Sequence, residues 1–289
     1  MDFEIIIPLT TRELLDSIKK LQKNKFRFGA GCTDLLMELK KNPVEDLTII
    51  NLSQIKDNKF TGIKKHLKSF QLGALFTAHQ IVVNEELKQH FPVLHQAALN
   101  LASTQIRQVA TLGGNLCTAS PSGDITCALM ALEASCELLD YNEKIRVAPI
   151  TAFFTGVRTT VLQKNEVLYR ISIPSNNKNT KSIISGFIKV GTRRSMECSV
   201  VSLAYHIQLD KNGIVLNAGV AIGASAPTVQ FAGSACSFLI GKKYKKITGK
   251  EKDEFARQVL SYASPIDDIR ASAWYRKEVL SNISKSIFE

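Results

Sequence analysis

The stretch Ala110–Asp124, ATLGGNLCTASPSGD, sets two adjacent glycines behind a short apolar run, then small residues, then an acid at the mouth of an apolar helix. Glycine has no Cβ, so backbone N–H groups there can approach a ligand, and positive φ is open to it. Successive N–H groups in such a turn form an anion-binding concavity. The small neighbours Ala110, Thr111, Ala119, Ser120 and Ser122 keep the approach clear. The chemical reading is a phosphate cradle. A second glycine turn, GAGCTD over 29–34, leads into a helix with Thr33 as the expected N-cap. A helix start adds the positive end of its dipole. Two such turns are consistent with one diphosphate held from both sides, and each alone is equally a tight connection. There is no GxxxxGK[ST] and no GxGxxG after the first strand, which argues against a P-loop and an ordinary dinucleotide-binding Rossmann unit.

Around these turns the chain divides into three units, expected over 1–53, 54–176 and 177–289. In the first, Leu14, Leu15, Ile18 and Leu21 recur at helical spacing behind Thr10 or Thr11 as N-cap. KFRF and DLTIINL read as strands. In the second, FQLGALFTAHQIV passes from strand to helix. The segment 91–109 reads as one helix with Leu94, Ala97, Ala98 and Leu101 on a face. DITCALMALEA is a further helix, and SCELLDY and NEVLYRISIP are strands. The polar SNNKNTKS links to the third unit. There, period-two alternation on both sides of Asp-Lys-Asn-Gly marks a β-hairpin, followed by helices. Trp274 is expected in the core of this unit.

The 289 residues carry a net charge of +11, but the basic residues are scattered and not interleaved with aromatics. That describes a lysine-rich surface, with docking to an acidic protein as the second reading, and no nucleic-acid partner is expected. Arg193 and Arg194 read as solvated or partner-facing. The six cysteines, 32, 117, 127, 136, 198 and 236, include no CxxC pair. No metal site is expected. No apolar run approaches the roughly 20 residues of a membrane helix. MDFEIIIPLT has no basic n-region or cleavage site. Both features point to the cytoplasm, with reduced thiols.

The segments AGCTDLLMELK, IRQVATLGGNLCTASPSGDITCALMALEA, NEVLYRISIP and FIKVGTRRSMECSVVSLAY occur in this order. Together they resemble the FAD-binding (medium) subunit of the molybdenum hydroxylases, the type found in bacterial xanthine, carbon monoxide and nicotinate dehydrogenases. The resemblance covers almost the whole length. It implies an α+β fold: a vanillyl-alcohol-oxidase-type (PCMH) FAD-binding domain in two α/β subdomains, then a C-terminal α+β domain.

The resemblance also implies FAD as cofactor. Phe28, Gly29, Ala30, Gly31, Cys32, Thr33, Asp34 and Leu35 form one expected contact segment, and Ala110, Thr111, Leu112, Gly113, Gly114 and Asn115 the other. Within them, 30–34 and 110–114 would wrap the pyrophosphate. Asp124 would bond the ribityl–phosphate region, or serve only as a helix cap. Leu101 and Leu168 would hold the adenine, or be core leucines. Lys189 would lie near the isoalloxazine ring, or be a surface lysine. No residue is expected to be catalytic. Relatives usually read AGGTD where this chain has Ala30-Gly31-Cys32-Thr33-Asp34, which puts the local backbone in question.

The implied activity is an oxidoreductase subunit. A molybdopterin large subunit hydroxylates a substrate, a small subunit relays electrons through [2Fe–2S] clusters, and this chain passes them through FAD to NAD+ or another acceptor. Two alternatives compete: a self-contained flavin oxidoreductase of the same superfold, which needs its own acid or base near the flavin, and a non-catalytic scaffold, which would carry no flavin.

Overall fold

The structure, a computed structural model, describes residues 3–193 and 196–289; Arg194 lies outside the described residues. The N-terminal part runs β1 (Glu4–Ile6), α1 (Thr11–Lys20), β2 (Lys25–Gly29), α2 (Leu35–Lys41) and β3 (Leu47–Asn51). Its three strands are parallel, in the order β1-β3-β2. The central strand LTIIN is buried on both faces, as parallel strands are. Thr10 caps α1 by accepting the Glu13 N–H, and Leu14, Leu15 and Ile18 form its buried face. Strand β1 escaped the sequence reading because its three residues are mostly exposed and show no alternation. Helix α2 starts one residue later than expected. Asp34, not Thr33, holds the N-cap position, and its side chain makes no cap hydrogen bond.

The second part opens with α3 (Asn58–Thr61), β4 (Ile63–Lys65) and β5 (Ser69–Gly73). A helical stretch follows: α4 (Ala78–Val83), α5 (Glu85–His90), α6 (Pro92–Asn100), α7 (Thr104–Val109), α8 (Leu112–Thr118) and α9 (Asp124–Ala131). It closes with β6 (Ser135–Asp140), β7 (Ile145–Pro149), β8 (Phe154–Gly156), β9 (Thr159–Thr160) and β10 (Glu166–Pro174). Five strands form an antiparallel sheet in the order β4-β5-β10-β6-β7.

The segment 91–109 is not one helix. Ala102 takes a left-handed φ of +41°, and Ser103 caps a new helix by accepting the Ile106 N–H. Arg107 then donates to the carbonyls of Leu101 and Ala102 at 2.8 and 3.0 Å, satisfying acceptors that the end of α6 leaves open. Every residue of α9 is buried. A helix largely apolar on every face belongs in the interior; α9 packs against α6, α8 and the third part at once, and its polar Asp124 and Thr126 are hydrogen bonded.

That third part comprises β11 (Ser182–Val190), β12 (Val201–Leu209), β13 (Val215–Gly223), β14 (Gln230–Phe231), α10 (Gly233–Leu239), α11 (Gly249–Leu260) and α12 (Ala273–Ser286). The sheet β11-β12-β13-β14 is antiparallel. The expected hairpin joins β12 to β13. Gly213 turns with φ +75°, and the Asp210 carboxylate accepts the N–H groups of Asn212 and Ile214 at 2.8 Å each. An apolar core of Val200, Leu203, Val220, Phe255, Val259 and Leu280 joins this sheet to the helices. Trp274 is 70 % exposed rather than buried. The inner face of α12 is set by Arg276, Leu280 and Ser284, and two residues along a helix turns a side chain about 200° away. Among the described residues, no helix is long and apolar enough to cross a membrane.

Candidate flavin site

The fold brings the two glycine segments into direct contact. A Cβ on Gly31 would lie 1.9 Å from the Val109 carbonyl oxygen and 3.1 Å from the Ala110 nitrogen. Only glycine allows that approach, so the residue joins the turns as well as opening the first one. Cys32, next to it, has a φ of +55°. This left-handed backbone suits a glycine and strains a side-chain-bearing residue by about 1–2 kcal/mol. The chain therefore keeps a glycine-type conformation at 32 with a cysteine in it.

The first segment supplies open backbone donors. Among the described residues, the N–H groups of Gly31, Cys32, Thr33 and Asp34 meet no protein acceptor. The second segment behaves differently from expectation. Gly113 and Gly114 do not form a turn; they lie in the first turn of α8, which Thr111 caps by accepting the Gly114 N–H at 3.0 Å. The Leu112 and Gly113 N–H groups go to the carbonyls of Phe76 (2.9 Å) and Ala74 (2.7 Å), and that of Ala110 to Ile106 (2.8 Å). Among 110–114, only the Thr111 N–H meets no acceptor among the described residues. Open donors thus concentrate on the first segment, while the second braces it.

Gly113 is fully packed: its Cβ would meet the Ala74 carbonyl oxygen at 2.8 Å. At Gly114 the only close atom is the Thr111 hydroxyl oxygen, at 3.0 Å. Asn115 fixes the next junction, accepting both the Thr126 N–H (3.0 Å) and its hydroxyl (2.8 Å), which ties α8 to the start of α9. Phe28 is half-buried against Phe26, Gly29 is buried at the end of β2, Ala30 packs on the first core, and Leu35 is buried under α2.

Asp124 is the first residue of α9, behind Gly123 as N-cap, and is 2 % exposed. Its Oδ2 pairs with Lys189 Nζ at 2.6 Å and its Oδ1 accepts the Ser199 hydroxyl at 2.7 Å. Burial raises its pKa, opposed by Lys189 and by the Ser199 hydrogen bond. Lys189 is no surface lysine: its side chain is 11 % exposed and also donates to the Asn100 carbonyl at 3.2 Å. Asn100 adjoins the half-buried Leu101, so Leu101, Lys189, Asp124 and α8 form one connected group. Leu168 is 3 % exposed in the main apolar core, the same cluster that the half-buried Leu101 packs against. Sequence reading missed Ser199 and the Asn100 carbonyl, because neither sits in a motif.

Cys117, on the far turn of α8, is exposed, yet the density of protein around it pushes its thiol up to about 12. A separate pocket of about 360 Å³ involves Glu133, Asn176, His206 and Gln208 and none of the residues above. Its polar groups satisfy one another: His206 bonds Ser185 at 3.0 Å and Asn176 at 2.8 Å, and Gln208 accepts from Asn177 and Thr180. Arg193, beyond β11, is exposed and donates to the Met196 carbonyl.

Two touching glycine segments, a helix that begins at a buried carboxylate, and an antiparallel C-terminal sheet docked on that helix make up the candidate site. Residues 1–176 match the FAD binding domain in molybdopterin dehydrogenase, and residues 187–289 the CO dehydrogenase flavoprotein C-terminal domain. The chain belongs to this family: it is an oxidoreductase subunit with FAD as its cofactor. It is 28 % identical over 280 residues to the glyceraldehyde dehydrogenase medium chain of Sulfolobus acidocaldarius, covering 96 % of this chain and 94 % of that one. It is 26 % identical over 278 residues to the xanthine dehydrogenase FAD-binding subunit of Escherichia coli O157:H7, covering 95 % and 91 %. Its fold matches carbon monoxide dehydrogenase from Hydrogenophaga pseudoflava with a TM-score of 0.89 at 23 % identity, covering 99 % and 96 %.

Proposed function

We propose that this chain is the electron-transfer subunit of a multi-subunit molybdenum hydroxylase, taking electrons from [2Fe–2S] clusters of a small partner subunit and passing them to NAD+ or another acceptor. A molybdopterin large subunit hydroxylates the substrate. Bound FAD supplies the ability to exchange electrons singly or in pairs. The protein supplies position and field. The observation that carries the reading is the contact of Gly31 with Val109, which brings the segment bearing the open N–H groups of 31–34 against the segment that bears the open N–H of Thr111. That arrangement fits a diphosphate held from two sides.

In this reading, residues 1–53 and 54–176 share the cofactor and 177–289 close over it. Residues 28–35 are the main diphosphate contact, and 110–115 are its brace with Thr111 as the donor. Asp124 and Lys189 face the ribityl–ring portion, with Leu101 flanking. The six free cysteines fit the reducing cytoplasm.

Reconstitution tests the proposal. The chain alone is expected to reduce dyes from NADH through its flavin and to hydroxylate no purine, aldehyde or aromatic acid. Adding the small and large subunits is expected to restore turnover from substrate to NAD+. Turnover of an organic substrate by the isolated chain, at an ordinary enzymatic rate, would replace this reading with a self-contained flavin oxidoreductase.

A further inference from the structure

A single buried guanidinium ties together the segments that hold the Asp124–Lys189 pair. Arg276, on the inner face of α12, is 4 % exposed. Its Nη1 donates to the carbonyls of Val200 (2.5 Å) and Ala224 (3.0 Å), and its Nη2 bonds the Asp268 carboxylate at 2.7 Å. Both carbonyls belong to residues that reach the site by their own backbone. Val200 donates its N–H to the Val190 carbonyl (2.8 Å), next to Lys189 at the end of β11, and follows Ser199, whose hydroxyl bonds Asp124 at 2.7 Å. Ala224, in a left-handed conformation with φ +56°, donates its N–H to the Pro121 carbonyl at 2.7 Å, in the loop that leads to Asp124.

We propose that Arg276 is a positioning residue for the flavin site: acting through Val200 and Ala224, it fixes Ser199 and the 121–124 loop and thereby the Asp124–Lys189 pair. Arg276 does this without reaching the pair itself. A guanidinium is suited to the task because its rigid fork serves two carbonyls and a carboxylate at once. Asp268 orients the fork and is in turn held by the N–H groups of Arg270 (2.8 Å) and Ala271 (3.2 Å). Hydrogen bonds from these groups, with Arg276 beside it, outweigh the effect of burial and hold its carboxyl down at about 2. The clamp therefore stays ionised at any ordinary pH. The C-terminal helix thus has a role in cofactor geometry that its sequence position does not suggest.

This inference rests on the proposed placement of Asp124 and Lys189 at the cofactor, and four variants separate the two ideas. Each is made in the full chain with bound FAD, and FAD dissociation and the flavin reduction potential are measured beside thermal unfolding. Arg276→Lys keeps the charge opposite Asp268 but cannot span both carbonyls. It is expected to weaken FAD binding roughly tenfold, the lower end of what loss of an orienting neighbour does to a metal ligand, and to shift the potential. Ser199→Ala, which cuts the last link and leaves the clamp intact, is expected to change both in the same direction. Lys285→Gln, which removes a charge at the far end of the same helix, is expected to change neither. If Arg276→Lys lowers only the unfolding temperature, or if Ser199→Ala leaves FAD binding and potential untouched, the positioning role is overturned. If Lys189→Met also leaves flavin binding and potential unaltered, the failure lies in the placement of the site.

Discussion

Gly31 and Val109 touch: a Cβ on Gly31 would fall 1.9 Å from the Val109 carbonyl oxygen, well inside any allowed contact. Residues almost eighty positions apart are therefore held at backbone distance, and the first segment's open donors keep their place because of it. Gly31→Ala is expected to push the two segments apart and release FAD, with at most a modest fall in unfolding temperature, because the contact lies outside the main apolar core. Flavin absorbance of the purified variant reports the outcome; full occupancy would show that the contact does not set the cofactor site.

The adjacent glycines of α8 separate packing from binding. Gly113→Ala places a methyl 2.8 Å from the Ala74 carbonyl oxygen. It is expected to destabilise the chain by about 1–3 kcal/mol, the usual range for overpacking, with FAD lost as a consequence. At Gly114 a Cβ meets the Thr111 hydroxyl oxygen at 3.0 Å and, among the described residues, no other side chain within 4 Å, and the branched side chain of Gly114→Val is expected to reach into the cofactor's approach. FAD content should fall while the fold persists. Calorimetry and flavin content on the same two samples decide this, and equal loss of stability in both would contradict it.

Removing the lysine from the buried pair has a pH-dependent effect. Lys189 and Asp124 are together neutral at 2.6 Å, so Lys189→Met does not simply delete a positive charge beside the flavin. Without its partner, the Asp124 pKa rises further above its ordinary value, because burial already raises it. Below that new pKa the carboxyl is protonated, the site stays neutral and the flavin potential should match the wild type. Above it a lone negative charge remains and the potential should be lower. The difference between variant and wild type should therefore open as pH rises and close in the double variant with Asp124→Asn. Potentiometry from pH 5 to 9 reads it directly, and a difference independent of pH would refute the coupling.

His206 is expected to make the fold sensitive to acid. Burial lowers its pKa from the ordinary 6.5 to about 4, and both ring nitrogens are hydrogen bonded. Between those values the unfolded chain binds a proton that the folded chain does not, so stability rises with pH through the window and is lost as pH falls from 6.5 towards 4. The loss attributable to this group is on the order of 3 kcal/mol. His206→Gln is expected to flatten the dependence of unfolding temperature on pH between 4 and 6.5. An unchanged slope would place the acid sensitivity in other groups.

Much of this architecture was legible in residue patterns. The period-two alternation around Asp210 to Gly213 specified the β12–β13 hairpin, and the largely apolar 124–134 segment specified a helix. The two glycine segments were visible as candidates. What failed was local geometry. Gly113 and Gly114 look like a turn but open a helix, since the Thr111 cap decides the matter and capping is a property of φ and ψ. Leu101 and Ala102 carry no helix-breaking signature, yet Leu101 turns extended at the end of α6 and Ala102 is left-handed. Within the site, Lys189 and Asp124 were separately visible. Their pairing, and the roles of Ser199 and the Asn100 carbonyl, depend on how β11 docks against α9. That contact between distant segments leaves no periodic trace. Trp274 was misplaced for the same reason: hydrophobicity alone does not say which face of α12 turns inward.

The ion pair between Asp124 and Lys189 crosses the SNNKNTKS linker, 175–182, where the match to the FAD binding domain ends. Anyone cutting there would leave each half with a stranded charge, an acid in one and a base in the other. Chimeras that exchange the C-terminal half between relatives would inherit the same problem unless the matching partners travel along. The seam visible in the sequence is thus a poor place to divide the molecule; as an exchangeable module, the indivisible part is the whole chain.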